Sequence, residues 1–250
     1  MRADVLVLAG AQNKGPLRKY SSVEHEALIK IADRPMIEYV IRAVNTADKT
    51  GKIAVVGPRK EIERSIDLKV DMIVEASTSL IENIRCGVNN LKPKHHLLLI
   101  SSDIPLITAE VIDEFIASCE NKKADIYFPI VSREHSQAKF PGVKRTYVDL
   151  AEGSFTGGNL VLIKPEVLVD SLAWLEKAFT LRKKPFKLSR LLGPKIVFKF
   201  LMGNLSLEEI ENRVYKILGY RGKGLITEHP EIGFDVDKPS DLKLMREKYK

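Results

Sequence analysis

The chain has 250 residues, 44% of them hydrophobic, and a formal net charge of +7. That is enough apolar material for a full core, and no run approaches the roughly 20 apolar residues of a membrane span. The positive balance favours anionic partners such as nucleotides or phosphosugars. The lysines are scattered apart from Lys122-Lys123 and Arg182-Lys183-Lys184, with no interleaved aromatics, which argues against nucleic acid. The sequence shows no secretory h-region, and its two cysteines, Cys86 and Cys119, lie far apart. A cytoplasmic chain with reduced thiols, bound to no membrane, is the expectation.

In chain order, Val5-Leu6-Val7-Leu8-Ala9-Gly10 reads as a buried first strand ending in glycine. A long polar loop runs from Ala11 to about His25, and loops of that length are more often functional than idle. Met36, Ile37, Val40, Ile41 and Val44 share one helical face behind Pro35. Strands follow at Lys52–Gly57 and Met72–Val74, then a helix over Ser79–Val88 with Ser77, Thr78 or Ser79 as its N-cap. His96–Ser101 is the central strand, Ala109–Glu120 a helix and Asp125–Val131 another strand. This alternation predicts an α/β fold with a doubly wound, mainly parallel sheet.

The second half is less regular. Gly157-Gly158-Asn159 reads as a turn leading into a strand to Ile163, and helices are expected over about Pro165–Leu175 and Leu207–Tyr220. Ile196–Leu201 fits strand or helix. Gly233-Phe234-Asp235-Val236-Asp237 reads as a final short strand, and Lys238-Pro239-Ser240-Asp241-Leu242 opens the last helix. Without repeats or a linker, residues 1–250 are taken as one domain: a nucleotide-binding half, 1–135, and an acceptor-side half with the closing strand and helix, 136–250.

Two constellations carry chemistry. The first loop holds Gly10, Ala11, Lys14, Gly15, Arg18 and Lys19. Backbone N–H groups and cations of this kind can cradle phosphates, though a solvated basic loop has the same composition. Neither a P-loop nor a Gly-x-Gly-x-x-Gly dinucleotide fingerprint is present. The second constellation is Asp103 with Asp235 and Asp237, each at a predicted strand end, where ligands collect in open α/β sheets. Neighbouring strands would converge these acids on a hard cation, Mg²⁺ or Mn²⁺, suited to transferring a nucleotidyl group. The bland alternatives are helix caps: Asp103 for the helix after Pro105, Asp237 for the last helix.

Leu8-Ala9-Gly10, Arg18 and Arg34-Pro35-Met36-Ile37-Glu38-Tyr39-Val40 resemble the start of the nucleotidyltransferases related to the molybdenum-cofactor guanylyltransferase, a pattern shared by sugar-phosphate nucleotidyltransferases. Asp103-Ile104-Pro105-Leu106 resembles that family's Asp-x-Pro-Leu metal motif, Phe155–Asn159 its acceptor segment, and Asp235–Leu242 its closing Asp-x-Asp-x-Pro-x-Asp-Leu. The resemblance implies a three-layer, Rossmann-like fold of the glycosyltransferase-A type. It implies the reaction of a nucleoside triphosphate with a small phosphorylated acceptor, giving the coupled product and pyrophosphate. Leu8, Ala9, Gly10, Ala11 and Gly15 would meet the nucleotide, with Ser79 and Asn83 near its base. Thr156, Gly157, Gly158 and Asn159 would meet the acceptor, and Asp103, Asp235 and Asp237 the metal. A homodimer is compatible with this picture.

The chain departs from the family in two places. Its first loop is longer than the usual Leu-Ala-Gly-Gly-x-Gly-x-Arg, and Glu26 stands where relatives carry a signature lysine. An acid cannot neutralise a phosphate, so Lys14, Lys19, Arg18 or Lys30 would have to supply that charge. Two other readings follow: a nucleotide-binding or regulatory domain with weak or no turnover, and a glycosyltransferase using a nucleotide sugar.

Overall fold

The computed structural model describes residues 1–181 and 193–249. The Arg182-Lys183-Lys184 cluster lies outside them. Strand β1 (Ala3–Leu8) is followed by the long loop, a two-stranded ribbon of β2 (Lys30–Ile31) and β3 (Arg34–Pro35), and helix α1 (Met36–Thr46). Then come β4 (Thr50–Gly57), α2 (Arg59–Ser65), β5 (Met72–Glu75), α3 (Leu80–Leu91), β6 (His96–Ser101) and α4 (Ala109–Cys119). The later elements are β7 (Ile126–Ser132), α5 (Arg133–Lys139), β8 (Val148–Leu150), β9 (Gly153–Gly157), β10 (Leu160–Ile163) and α6 (Pro165–Leu181). Helices α7 (Pro194–Leu201) and α8 (Leu207–Leu218), strand β11 (Gly222–Thr227) and helix α9 (Pro239–Lys248) complete them.

Among the described residues one nine-stranded sheet runs β5-β4-β1-β6-β10-β7-β9-β8, with β11 on the far edge of β7. Its first four strands are parallel. Alternation along β1 makes three layers. Val5 and Val7 join Ile37, Ile41, Ile112 and Phe115 of α1 and α4 on one face. Leu6 joins Ile81, Ile84, Val88 and Leu168 of α3 and α6 on the other. This is the expected three-layer α/β/α arrangement.

The second half of the chain is antiparallel where it meets β6. Strands β9 and β10 lie in succession along one edge of β7: Phe155–Gly157 pairs with Ile130–Ser132, and Leu162-Ile163 with Ile126-Tyr127. They form one long strand broken at Gly158-Asn159, so these residues interrupt a strand and do not open one. Gly158 packs so closely there that a Cβ would stand 2.5 Å from Ile232 and 2.8 Å from Pro129.

Three other expectations change. Gly233–Asp237 is not a strand: Pro230–Gly233 forms a 3-10 turn, and the extended residues after it have no ladder partner. Strand β11 fills the free edge of β7; its Gly-Lys-Gly opening hides the strand period in the sequence. The ambiguous Ile196–Leu201 segment is helical, with Pro194 in its first turn.

Candidate active site

The parallel strands β1, β4 and β6 end side by side. Beyond β1 the Ala9 N–H donates to the Val56 carbonyl (2.7 Å), and the Ser102 N–H donates back to Leu8 (3.2 Å). The Gly10 turn and Asp103 are thus neighbours at the carboxyl ends of the strands, where open α/β sheets bind ligands. Gly10 sits tight over α3: a Cβ would fall 2.6 Å from Asn83 Nδ2. Asn83 is buried and accepts from the Ser77 N–H at 2.6 Å. Its amide thereby fixes the floor beneath Gly10. Ser79 caps α3 by accepting from the Glu82 N–H.

The long loop returns on itself. Asn13 donates through Nδ2 to the Ser21 (3.1 Å) and Val23 (3.0 Å) carbonyls, its backbone N–H donates to Glu24, and the Glu26 N–H donates to Ala11. No motif marks Asn13 in the sequence, yet it is the buried polar centre of the loop. Arg18 is exposed and donates to the Ser22 (2.7 Å) and Val23 (2.8 Å) carbonyls. Its guanidinium already braces the loop. Ala11, Lys14, Gly15 and Lys19 are exposed on the same loop. Lys30 is exposed on β2, where its carbonyl accepts from Arg246. Among the described residues Lys30 makes no ion pair with the acids.

Asp103 caps no helix, since Thr108 caps α4. Its carboxylate instead accepts from the Ser101 hydroxyl, and its carbonyl from the Val236 N–H at 2.9 Å. That bond pins an extended stretch in which Val236 is buried while Asp235 and Asp237 flank it on the opposite side. Asp237 is not the cap of α9 either: Asp241 accepts from the Lys238 N–H at 3.1 Å. Oxygens of Asp103, Asp235 and Asp237 all lie within 4.8 Å of one another. Both uses of the acids as caps are therefore excluded, and the three expected ligands meet.

Sequence reading missed the residue that holds Asp235 in place. Arg145, nearly buried, places Nη1 2.9 Å from Asp235 Oδ1 and 3.5 Å from Asp241, and donates through Nη2 to the Asp235 carbonyl at 2.7 Å. Its guanidinium lies over the Phe234 ring, 4.5 Å from the centroid. Lys139 pairs with Glu231, and Phe140 packs on Phe234 at 4.7 Å, so the segment before Arg145 is fastened to the same turn.

Burial and the neighbouring acids push Asp235 up to about 7 against the pull of Arg145. Burial likewise raises Asp103, with Asp237 adding to it. Metal-free, the cluster is short of positive charge. An all-oxygen donor set of three carboxylates in such a field suits a hard divalent cation.

Thr156 and Gly157 lie on β9 beside β7, Gly157 exposed. Asn159 donates through its backbone N–H (2.9 Å) and Nδ2 (3.2 Å) to the Ile232 carbonyl, while its own carbonyl accepts from Ser101 at 3.0 Å. The segment expected to meet the acceptor thus ties β6 to the turn that delivers Asp235.

Fold and site together define a nucleotidyltransferase-like domain of the Rossmann-related, glycosyltransferase-A type. The family model described as "MobA-like NTP transferase domain" matches residues 5–187, and the chain belongs to that family. It is 34% identical to a hypothetical transferase from Thermus thermophilus, with a TM-score of 0.85 over 97% of this chain and 100% of that one. The fold is shared with a CMP:2-keto-3-deoxy-manno-octonic acid synthetase complexed with CTP (14% identity, TM-score 0.63, covering 100% of this chain and 98% of that one). It is also shared with a 4-diphosphocytidyl-2C-methyl-D-erythritol synthase from Anaerococcus prevotii (10% identity, TM-score 0.59, covering 99% and 96%). None of the curated proteins matches. Among the described residues no helix is long and apolar enough to cross a membrane.

Proposed function

We propose that this chain is a Mg²⁺-dependent nucleotidyltransferase that joins a nucleoside triphosphate to a small phosphorylated acceptor and releases pyrophosphate. The observation that carries the reading is the meeting of Asp103, Asp235 and Asp237 beside the Gly10 turn. These three carboxylates would hold the cation, which when bound offsets charge on the α-phosphate and the leaving pyrophosphate. Ala9 and Gly10 bring backbone close to the nucleotide because no side chain fits between Gly10 and Asn83. Lys14 and Lys19 extend from the loop without ion-pair partners among the described residues, so they are the cations placed to meet the phosphates. Thr156 and Gly157, at the broken strand, would line the acceptor side. The acceptor's own phosphate is the nucleophile, so no side-chain nucleophile is needed.

Asp103→Asn tests this directly. Pyrophosphate release with any active pair from a screen of the common nucleoside triphosphates against sugar phosphates and phosphocholine should fall at least about a hundredfold. A variant with wild-type release would overturn the assignment. Glu26 and the loop-bound Arg18 favour a second reading, nucleotide binding without turnover. Robust release by the wild-type chain with any one pair removes it.

A further inference from the structure

Strand β7 runs parallel to β6, because both are antiparallel to β10, which lies between them. Ile163 of β10 pairs with Leu97 on one side and Ile126 on the other. Asp103 and Ser132, each six residues further along, therefore leave the sheet at the same end. Two strand spacings, about 10 Å, separate the lines they follow. Arg133, the first residue beyond β7, is thus the cation at a second strand end of the same crevice.

Burial alternates along Val143–Tyr147, which turns Val143, Arg145 and Tyr147 to one side. Arg145 is already committed to Asp235 at 2.9 Å. Arg133 lies next along that side, its guanidinium 4.8 Å from the centroid of the Tyr147 ring. Its one acid among the described residues is Asp149, 3.6 Å away and 70% exposed, which also accepts from the Ser154 hydroxyl. So loose and exposed a pair adds little stability. Ser154 and Thr156 share a face of β9, and the Thr156 methyl packs against Gly233, two residues before Asp235. Arg133 and the acid cluster therefore flank one surface.

We infer that Arg133, seated on the Tyr147 ring, binds the phosphate of the acceptor. This rests on the nucleotidyl transfer proposed above and names the group that holds its second substrate. A planar guanidinium held flat on an aromatic ring presents its fork edge-on, and that fork matches two oxygens of a phosphate monoester. Lys14 and Lys19 stand on the loop after β1, so the two phosphate-bearing substrates would meet different cations. Asp149 competes with the phosphate for the guanidinium.

The test is titration with inorganic phosphate in EDTA, followed by ³¹P NMR, for wild type, Arg133→Ala, Arg133→Lys and Asp149→Asn. Arg133→Ala should weaken binding at least about tenfold, and Arg133→Lys, which keeps the charge without the fork, should weaken it less. Asp149→Asn should strengthen binding roughly two- to fivefold by freeing the guanidinium. If the Arg133–Asp149 pair were only a brace for β8, removing either partner would act in the same direction. No phosphate binding by wild type, wild-type affinity in a folded Arg133→Ala, or no gain in Asp149→Asn overturns the inference. Turnover separates it from the reading beneath it. With any active pair, Arg133→Ala should raise KM for the acceptor about tenfold and leave KM for the triphosphate unchanged. An unchanged acceptor KM refutes the role of Arg133 and leaves nucleotidyl transfer standing. Phosphate binding that depends on Arg133, in a chain that releases pyrophosphate with no pair, refutes the transfer reading and retains the phosphate site.

Discussion

Arg145 shows how one side chain can organise an acid cluster. Its planar fork holds a carboxylate and a carbonyl of the same residue while its face covers Phe234. Lysine offers the charge but not the fork or the face. Arg145→Lys should lower unfolding free energy by about 1–2 kcal/mol, and Arg145→Ala by about 3, because the second leaves partly buried carboxylates without their cation. Urea denaturation measures both; equal losses for Lys and Ala would mean that only the charge matters. Asp103 was readable in the sequence because four apolar residues announce the strand it terminates. Arg145 was not. It lies in a loop with no periodicity, 90 residues from Asp235, and nothing local marks a guanidinium destined for burial.

Among the elements, the break between β9 and β10 has the widest reach. Gly158 lets the strand press against Ile232 and Pro129, and Asn159 then holds the Ile232 carbonyl. Gly158→Ala has no space for its methyl. It should cost about 1–3 kcal/mol in thermal or urea unfolding. It should also weaken Mn²⁺ binding, because the displaced turn carries Asp235. Asn159→Ala, which keeps the backbone bonds, should do less to both. A Gly158→Ala chain with wild-type stability and wild-type Mn²⁺ affinity would show that the break does not position the acid. Apolar runs and helical patterns revealed the parallel half of the sheet, since its strands are buried on both faces. Strand β11, opening on Gly222-Lys223-Gly224, has no such run. Gly233–Asp237 has the right residues for a strand, but its outward groups answer to Asp103 and Arg145 and not to a neighbouring ladder.

For the molecule as a whole, the acid cluster sets a pH dependence. Glu26 is raised to about 6, by burial first and then by Asp103 and Asp237. Asp235 is raised to about 7. Both titrate higher folded than unfolded, so the folded chain binds the extra protons. Stability from these groups is full at low pH and is lost as pH rises from about 4 to about 7. Each tenfold gain in proton affinity on folding is worth about 1.4 kcal/mol, and screening by solvent reduces the Glu26 share. In EDTA the melting temperature should therefore decline across that window, and Asp235→Asn should flatten the decline. A wild-type slope retained in Asp235→Asn would place its origin elsewhere. At pH 8 a cation at a hundredfold its dissociation constant should return about 2.7 kcal/mol, and at pH 5 much less.

The bond from Val236 to the Asp103 carbonyl also has a consequence in time. Asp103 sits in the turn directly after the central strand β6, whereas Asp235 and Asp237 arrive on a segment whose seat is made by β7, by Asn159 and by Arg145. Contacts so distant along the chain close only after loop entropy has been spent on the sheet. In refolding experiments, helical circular dichroism should recover first and Mn²⁺ capture should lag behind it. An intermediate in that interval would carry most of the secondary structure and almost no affinity for the ion, so capture of the metal would report the last step to the native state.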